Sequence, residues 1–144
     1  METLTTNTIS SASLLNVITR KKNNAGATFT IKSKKTGKEF TYKIARKEWK
    51  GKWYTHISVE KQYNNFVYLG SYFNAKIYRK GGEVNTPAAI GISFILKFVE
   101  LEKFDYIDFQ AEIMHTGNCL CCGKLLTDSD SIKLGLGPIC SQFN

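Results

Sequence analysis

The residues best placed to do chemistry lie in "HTGNCLCCGKLLTDSDSIKLGLGPIC", His115 to Cys140, which holds all four cysteines of the 144-residue chain and one of its two histidines. The spacing is His115-x3-Cys119-x2-Cys122-x17-Cys140. Two thiols three positions apart on a tight turn present both sulfurs to one point. Gly123, directly after Cys122, suits a backbone that turns through positive φ. Zn²⁺ takes four N or S ligands with Zn–S near about 2.3 Å, and a closed Cys3His set leaves no open position. One structural ion is therefore expected, held by His115, Cys119, Cys122 and Cys140, with a folding contribution of about 10 kcal/mol. Cys121 competes with His115 for the fourth position. His115 is preferred because adjacent side chains seldom converge on one ion, and Cys121 is then a plain thiol. Gly135, Gly137 and Pro138 shape a turn that aims Cys140 back at the knuckle. In a reducing compartment, cysteines this closely spaced point to metal rather than to disulfides.

Something must position this tail. "YIDFQAEIM" alternates Ile107, Phe109, Ala111 and Ile113 against Asp108, Gln110 and Glu112, which predicts a closing strand that delivers the chain into His115. Before it, "NTPAAIGISFILKFVELEKF" has helical spacing, with Asn85 or Thr86 as cap and Pro87 in the first turn. Ala88, Ile92, Ile95, Leu96 and Val99 share one face of it. Further upstream, "ATFTIKSKKTGKEFTYKIAR" reads as a hairpin about Gly37, "KEWKGKW" turns at Gly51, and "WYTHISVEK" and "FVYLGSYF" form a second strand pair across "QYNN". Near the start, Ile9, Leu14, Leu15 and Ile18 are spaced for a short helix capped by Ser10 or Ser11. "TDSDS" offers a further capped helical turn, with Thr127, Ser129 or Asp130 as cap.

The expected fold is thus α+β: an N-terminal helix, an antiparallel meander of four to five strands, one packed helix, a closing strand and a C-terminal zinc knuckle. The expected divisions are a polar segment with a short helix over 1–25, a basic body over 26–114 and the zinc-knuckle tail over 115–144. A chain of this length and ordinary apolar content builds one domain, or one domain plus a small appendage.

With the tail's residues in view, a resemblance emerges. "CxxCGKxLTxxxSIxxGLGPxC" resembles the C-terminal tail of an uncharacterised group of small phage and prophage proteins, with Lys124 where that group commonly has Arg. "AGATFTIKSKKTGKEFTYKI" and "FVYLGSYF" are similar to the group's N-terminal part. The resemblance implies a phage-type protein with a zinc-knuckle tail, and it implies no activity.

The net charge is +8, unevenly spread. From Arg20 to Lys80 there are 16 Lys and Arg against 3 acids, whereas from Gly81 onward there are 4 against 8. A basic first half points to a polyanionic partner. The same stretch holds 12 aromatics. Cations neutralise phosphates, and exposed rings stack on unpaired bases at about 1–3 kcal/mol each. The expected nucleic-acid contacts are Lys32, Lys34, Lys35, Lys38, Lys43, Arg46, Lys47, Lys50 and Lys52, with Trp49 and Trp53 as stackers. "RKEWKGKW" is the sharpest signal, two tryptophans set among Arg46, Lys47, Lys50 and Lys52. Phe29, Phe40, Tyr42, Phe66, Tyr68 and Phe73 are assigned mainly to packing.

Two functions compete. One is a cytoplasmic, zinc-stabilised, non-enzymatic protein that binds single-stranded RNA or DNA. The other is a protein-binding inhibitor of a host defence nuclease or ribonucleoprotein, using exposed Trp and Tyr as anchors. No enzyme is expected: the chain has no Ser-His-Asp set, no phosphate loop and no carboxylate-rich metal site. His56, in "WYTHISV", reads as a structural or surface residue. There is no apolar run long enough to cross a membrane and no secretory leader. Nothing points to a small-molecule substrate.

Overall fold

The computed structural model describes residues 7–21, 27–63, 65–115, 117–120 and 124–136. Cys121, Cys122, Gly123, Gly137, Pro138 and Cys140 lie outside them. The strands are β1 (Asn7–Ile9), β2 (Ala27–Ser33), β3 (Glu39–Trp49), β4 (Lys52–Gln62), β5 (Asn65–Phe73), β6 (Lys76–Arg79), β7 (Gly82–Glu83) and β8 (Ala111–His115). The helices are α1 (Ala12–Thr19), α2 (Pro87–Glu100), α3 (Phe104–Gln110) and α4 (Ser129–Leu134). All eight strands form one antiparallel sheet in the order β1-β8-β2-β3-β4-β5-β6-β7.

The meander β2 to β7 follows from its turns. Lys50-Gly51, Asn74-Ala75 and Lys80-Gly81 each join two strands through two residues, and all six residues have positive φ. Two consecutive positive φ values define the hairpin turn whose twist matches that of paired strands. Between Ile57 and Ser58 the β4–β5 register shifts: Ile57 pairs with Gly70 and Ser58 with Tyr68. The extra residue, Leu69, is a β-bulge, and it inverts the alternation of β5. Phe66 and Tyr68 therefore face one side of the sheet with Ser71 and Phe73, while Tyr72 turns to the other.

One side of the sheet is the core. Phe29, Tyr42, Ile44, Ile57, Val59, Tyr72 and Ile77 pack with Leu14 and Val17 of α1 and with Ala89, Ile92, Leu96 and Val99 of α2. α2 starts where Thr86 accepts the Ala89 N–H and Pro87 occupies the first turn. The Tyr42 hydroxyl donates to the Ala88 carbonyl at 2.7 Å, tying β3 to that helix. Burial raises the Tyr42 pKa well above the ordinary phenol value.

The α+β layout expected from sequence is corrected. Among the described residues the sheet has eight strands rather than a meander of four to five with a closing strand, and four helices accompany it. Ile9, expected in the leading helix, lies in β1 and pairs with Ile113 of β8. "YIDFQAEIM" divides into α3 and β8. Phe109, inward by alternation, is 76% exposed, whereas Ile107 and Ala111, four apart, are buried. Asp108 secures the helical form from a distance: its Oδ1 accepts the Ser11 N–H at 2.9 Å, and its Oδ2 accepts the Ser10 hydroxyl at 3.2 Å. The Ser11 hydroxyl donates in turn to the Phe104 carbonyl at 3.2 Å. β8 is not an outer strand. It lies between β1 and β2, which are parallel to each other and linked through α1.

The tail joins the same core through Leu120, Leu126 and Leu136. α4 is capped by Asp128, whose carboxylate accepts the Ser131 N–H at 3.0 Å. Hydrogen bonds from the Ser131 side chain and then from its N–H hold the Asp128 carboxyl below its usual value.

Candidate functional site

The sheet side opposite the helices is uncovered by any described element. Alternation and register place Lys43 and Lys47 of β3, Lys52, Tyr54, His56 and Ser58 of β4, and Phe66, Tyr68 and Ser71 of β5 on it. The Lys43 ammonium sits 4.8 Å from the centre of the Phe66 ring. The hydroxymethyl of Ser58, on the strand between them, leaves room for that reach. At the β3–β4 turn, Trp49 is 61% exposed and the Lys50 ammonium lies 4.5 Å from its ring centre. Cations and open aromatic faces thus share one surface.

At its middle lies a polar triangle. His56 Nδ1 is 3.1 Å from the Tyr68 hydroxyl and 3.1 Å from the Ser71 hydroxyl, and the two hydroxyls are 3.1 Å apart. Burial, and then the charge of Lys47, pushes the His56 pKa below its ordinary value.

The expected nucleic-acid contacts separate into groups. Lys43, Lys47, Trp49, Lys50 and Lys52 gather on or beside this surface. Lys32 shares the face but pairs in register with Glu39 on one side and Glu112 on the other. Lys34 donates to the Asp108 carbonyl at 2.6 Å. Lys35 and Lys38 rim an apolar cavity of about 390 Å³ between the β2–β3 hairpin and α2, with Ile31, Phe40, Ile90 and Phe94 among its walls.

Arg46 and Trp53 turn to the helix side. Arg46 is only 8% exposed: its Nε donates to the Arg20 carbonyl at 2.8 Å and its Nη1 to the Thr55 hydroxyl at 2.7 Å. Its guanidinium carbon lies 5.9 Å from the centre of the Trp53 ring. Both line a cavity of about 360 Å³ with Thr55, Tyr72 and Glu100. Parity shows this in retrospect, since Arg46 follows Tyr42 and Ile44 by steps of two. Phe66 and Tyr68, assigned to packing from sequence, belong to the open face, and Tyr68 is 42% exposed. Phe73, assigned with them, is exposed as well. A glycine inside a strand, Gly70, was the available signal for the bulge that turns them outward.

The second candidate is the tail. Cys119 donates its N–H to the Lys124 carbonyl at 2.8 Å, Leu126 donates to Gly117 at 2.8 Å, and Asn118 bridges to Leu125. These bonds close a hairpin between Gly117–Cys119 and Lys124–Leu126, with Cys119 buried. His115, at the end of β8 on the core side, is also buried. Its Nδ1 accepts the Gly117 N–H at 2.9 Å, so Nε2 carries the proton and donates to the Ile132 carbonyl at 2.7 Å. That is the tautomer a metal-bound histidine adopts when a backbone carbonyl holds its other nitrogen. The lone pair points at the first residue of the hairpin. Among the described residues no three His, Cys, Asp or Glu side chains gather as a metal site, and Cys121, Cys122 and Cys140 lie outside those residues.

Residues 109–141 match a family of unknown function, DUF6011. The match spans β8, the hairpin and α4, the part that carries the cysteines. No curated protein and no solved structure matches the chain. Among the described residues no helix is long and apolar enough to cross a membrane.

Proposed function

We propose that this is a phage-type, non-enzymatic protein that binds single-stranded nucleic acid on the open face of its sheet, its tail held by one structural zinc ion, and that it acts in the host cytoplasm on nucleic-acid machinery. One observation carries the reading: Lys43, Lys47, Lys52, Trp49, Phe66 and Tyr68 share a single uncovered surface. Ammonium groups at that spacing follow a phosphate backbone while rings stack on splayed bases. RNA is the first candidate, because a sheet face with exposed rings is a common platform for unpaired RNA bases.

The donor chemistry of the tail fits zinc. Three thiolates, from Cys119, Cys122 and Cys140, and the Nδ1 of His115 would make the closed set, with Ile132 orienting the ring. His115 would then exchange the Gly117 amide for the ion. The ion would pin the hairpin to the segment that follows α4.

The test is fluorescence anisotropy with labelled single-stranded oligouridylate and oligothymidylate. The Lys43→Ala/Lys47→Ala/Lys52→Ala variant is expected to lose more than tenfold in affinity, and its salt slope should fall by about 2, at about 0.7 per contact on a single strand. An unchanged slope would remove this face from the reading.

A second reading has its own support. Ile90 and Phe94, which line the apolar cavity, are exposed, as are Tyr106 and Phe109, and the Phe98 ring packs at a tilt against Phe94 and Tyr106, with centres 4.9 and 5.0 Å away. Such a patch, rimmed by Lys35 and Lys38, suits an apolar, acidic segment of a host nuclease or ribonucleoprotein. Binding to such an enzyme that persists after nuclease treatment, with no affinity for oligonucleotides, would favour it.

A further inference from the structure

We infer that the triangle of His56, Tyr68 and Ser71 is the seat of one phosphodiester group of the bound strand. This deepens the proposed function and rests on it. The geometry of the triangle supplies the reason. A ring nitrogen carries either one proton or one lone pair, so Nδ1 forms one good hydrogen bond at a time. The two hydroxyls can bond to each other as well, but the third edge, also 3.1 Å, cannot be satisfied at the same moment.

With neutral His56 accepting at Nδ1, both hydroxyl protons are consumed inside the triangle. With His56 protonated, Nδ1–H donates to one hydroxyl, that hydroxyl donates to the other, and the last O–H is released to point outward. The ring, whose Nε2–H is present in both states, gains a positive charge with it. Protonation therefore converts a self-contained cluster into a donor set for an anion, and a phosphodiester oxygen is such an anion.

The surroundings favour an anion there. The direct cross-strand neighbours of His56 are Ala45 and Ser71, and its diagonal neighbours on β3 are Lys43 and Lys47. On β4 the same face carries Tyr54, Ser58, Lys52 and, farther off, Glu60. On β5 it carries Phe66, Tyr68 and Phe73. Beyond them lie Tyr78 and Lys76 of β6 and Glu83 of β7, the last two joined at 3.3 Å. Two lysines flank the ring and the nearest acid is Glu60, two positions beyond Ser58. Burial and then the charge of Lys47 disfavour the protonated ring. Lys47 and Lys43 also attract the phosphate, and the phosphate then offsets the repulsion between Lys47 and the ring. Strand binding and proton uptake at His56 are thereby coupled.

The experiment is anisotropy with a labelled single-stranded oligouridylate of about 12 nucleotides at about pH 8 and about pH 5.5, on either side of an ordinary histidine pKa. Zinc content and circular dichroism are followed in parallel. Affinity of the wild type is expected to rise at least about tenfold as pH falls. In His56→Gln the rise should shrink below about twofold. The Tyr68→Phe/Ser71→Ala variant keeps the imidazole and loses the hydroxyls, so it should retain a reduced rise. The imidazole nitrogen resonances give an independent reading: the pKa of His56 should increase when the oligonucleotide is added.

The only other histidine, His115, is buried and held by backbone at both nitrogens, so it does not supply the same signal. Tight binding with the same pH profile in wild type and His56→Gln overturns the seat and leaves the open face intact. Absence of oligonucleotide binding at either pH, alongside capture of a host protein, overturns the open-face reading and the seat with it.

Discussion

The Tyr72 hydroxyl donates to the Glu100 carboxylate at 2.5 Å, joining β5 to the last turn of α2. Tyr72 reaches that position only because the bulge at Leu69 inverts the strand before it. Burial, followed by the hydrogen bond and the charge of Glu100, raises its pKa far above the ordinary phenol value. Tyr72→Phe is expected to lower stability by about 1.5 kcal/mol, the contribution of a hydrogen bond to a charged acceptor. The pH dependence has a definite sign. The unfolded phenol ionises near its usual value of about 10 while the folded one stays protonated, so stability falls as pH rises above about 10. Urea melts of both proteins between neutral and strongly alkaline pH check this. The wild type should lose more stability in that range than Tyr72→Phe.

Gly70 has φ 151°, and a Cβ built on it would lie 2.6 Å from the Tyr78 carbonyl oxygen and 2.7 Å from the Ile77 Cγ2. Both neighbours belong to the paired strand β6, and the oxygen is backbone. Gly70→Ala is expected to cost about 3 kcal/mol, from strain in a region that side chains avoid and from overpacking. Chemical denaturation measures the loss. A variant as stable as wild type would contradict the bulge geometry.

Ala75 occupies the second position of a two-residue turn with φ 70°. Left-handed backbone costs a residue with a Cβ about 1 kcal/mol, and glycine escapes that cost. Ala75→Gly is expected to raise stability by about 0.5 kcal/mol after the added freedom of the unfolded chain is counted. The midpoint of a urea transition, at unchanged slope, reads it directly.

Zinc is tested by its ligands. Cys122→Ser and Cys140→Ser are each expected to abolish stoichiometric metal and to lower Tm by more than about 10 °C, the equivalent of several kcal/mol in a chain of this size. His115→Gln and Cys121→Ser decide the fourth position: the ligand variant loses metal and the other keeps it. Wild-type protein without zinc, with a melt that a chelator leaves unchanged, would sink the assignment.

Although the expected meander of four to five strands is corrected, some of its turns were legible in the sequence because their information is local. Gly37 and Gly51 mark two turns, and Thr86-Pro87 marks the start of α2. What failed was whatever depends on a distant partner. Nothing near "FDYIDFQ" states that Asp108 will clasp Ser11, and without that clasp the period-two pattern is the simpler reading. Three residues of β1 carry too little pattern to declare a strand, and their pairing with β8 is set by a segment about a hundred positions away. At the candidate site the cations were legible, but the side of the sheet each one occupies was not. One inserted residue at Leu69 was enough to bring Tyr68 and Phe66 out to meet Lys43. Parity along β3 could have set Arg46 apart from its basic neighbours, yet its charge drew it in with them.

The position of β8 between β1 and β2 has a consequence for biogenesis. Both flanking strands leave the ribosome long before their shared neighbour, so β2 presents an unpaired edge throughout the synthesis of α2 and α3. Completion of the sheet is a late, long-range closure. A nascent chain arrested shortly before Ala111 should be prone to self-association through that edge, and release of the following few residues should suppress it.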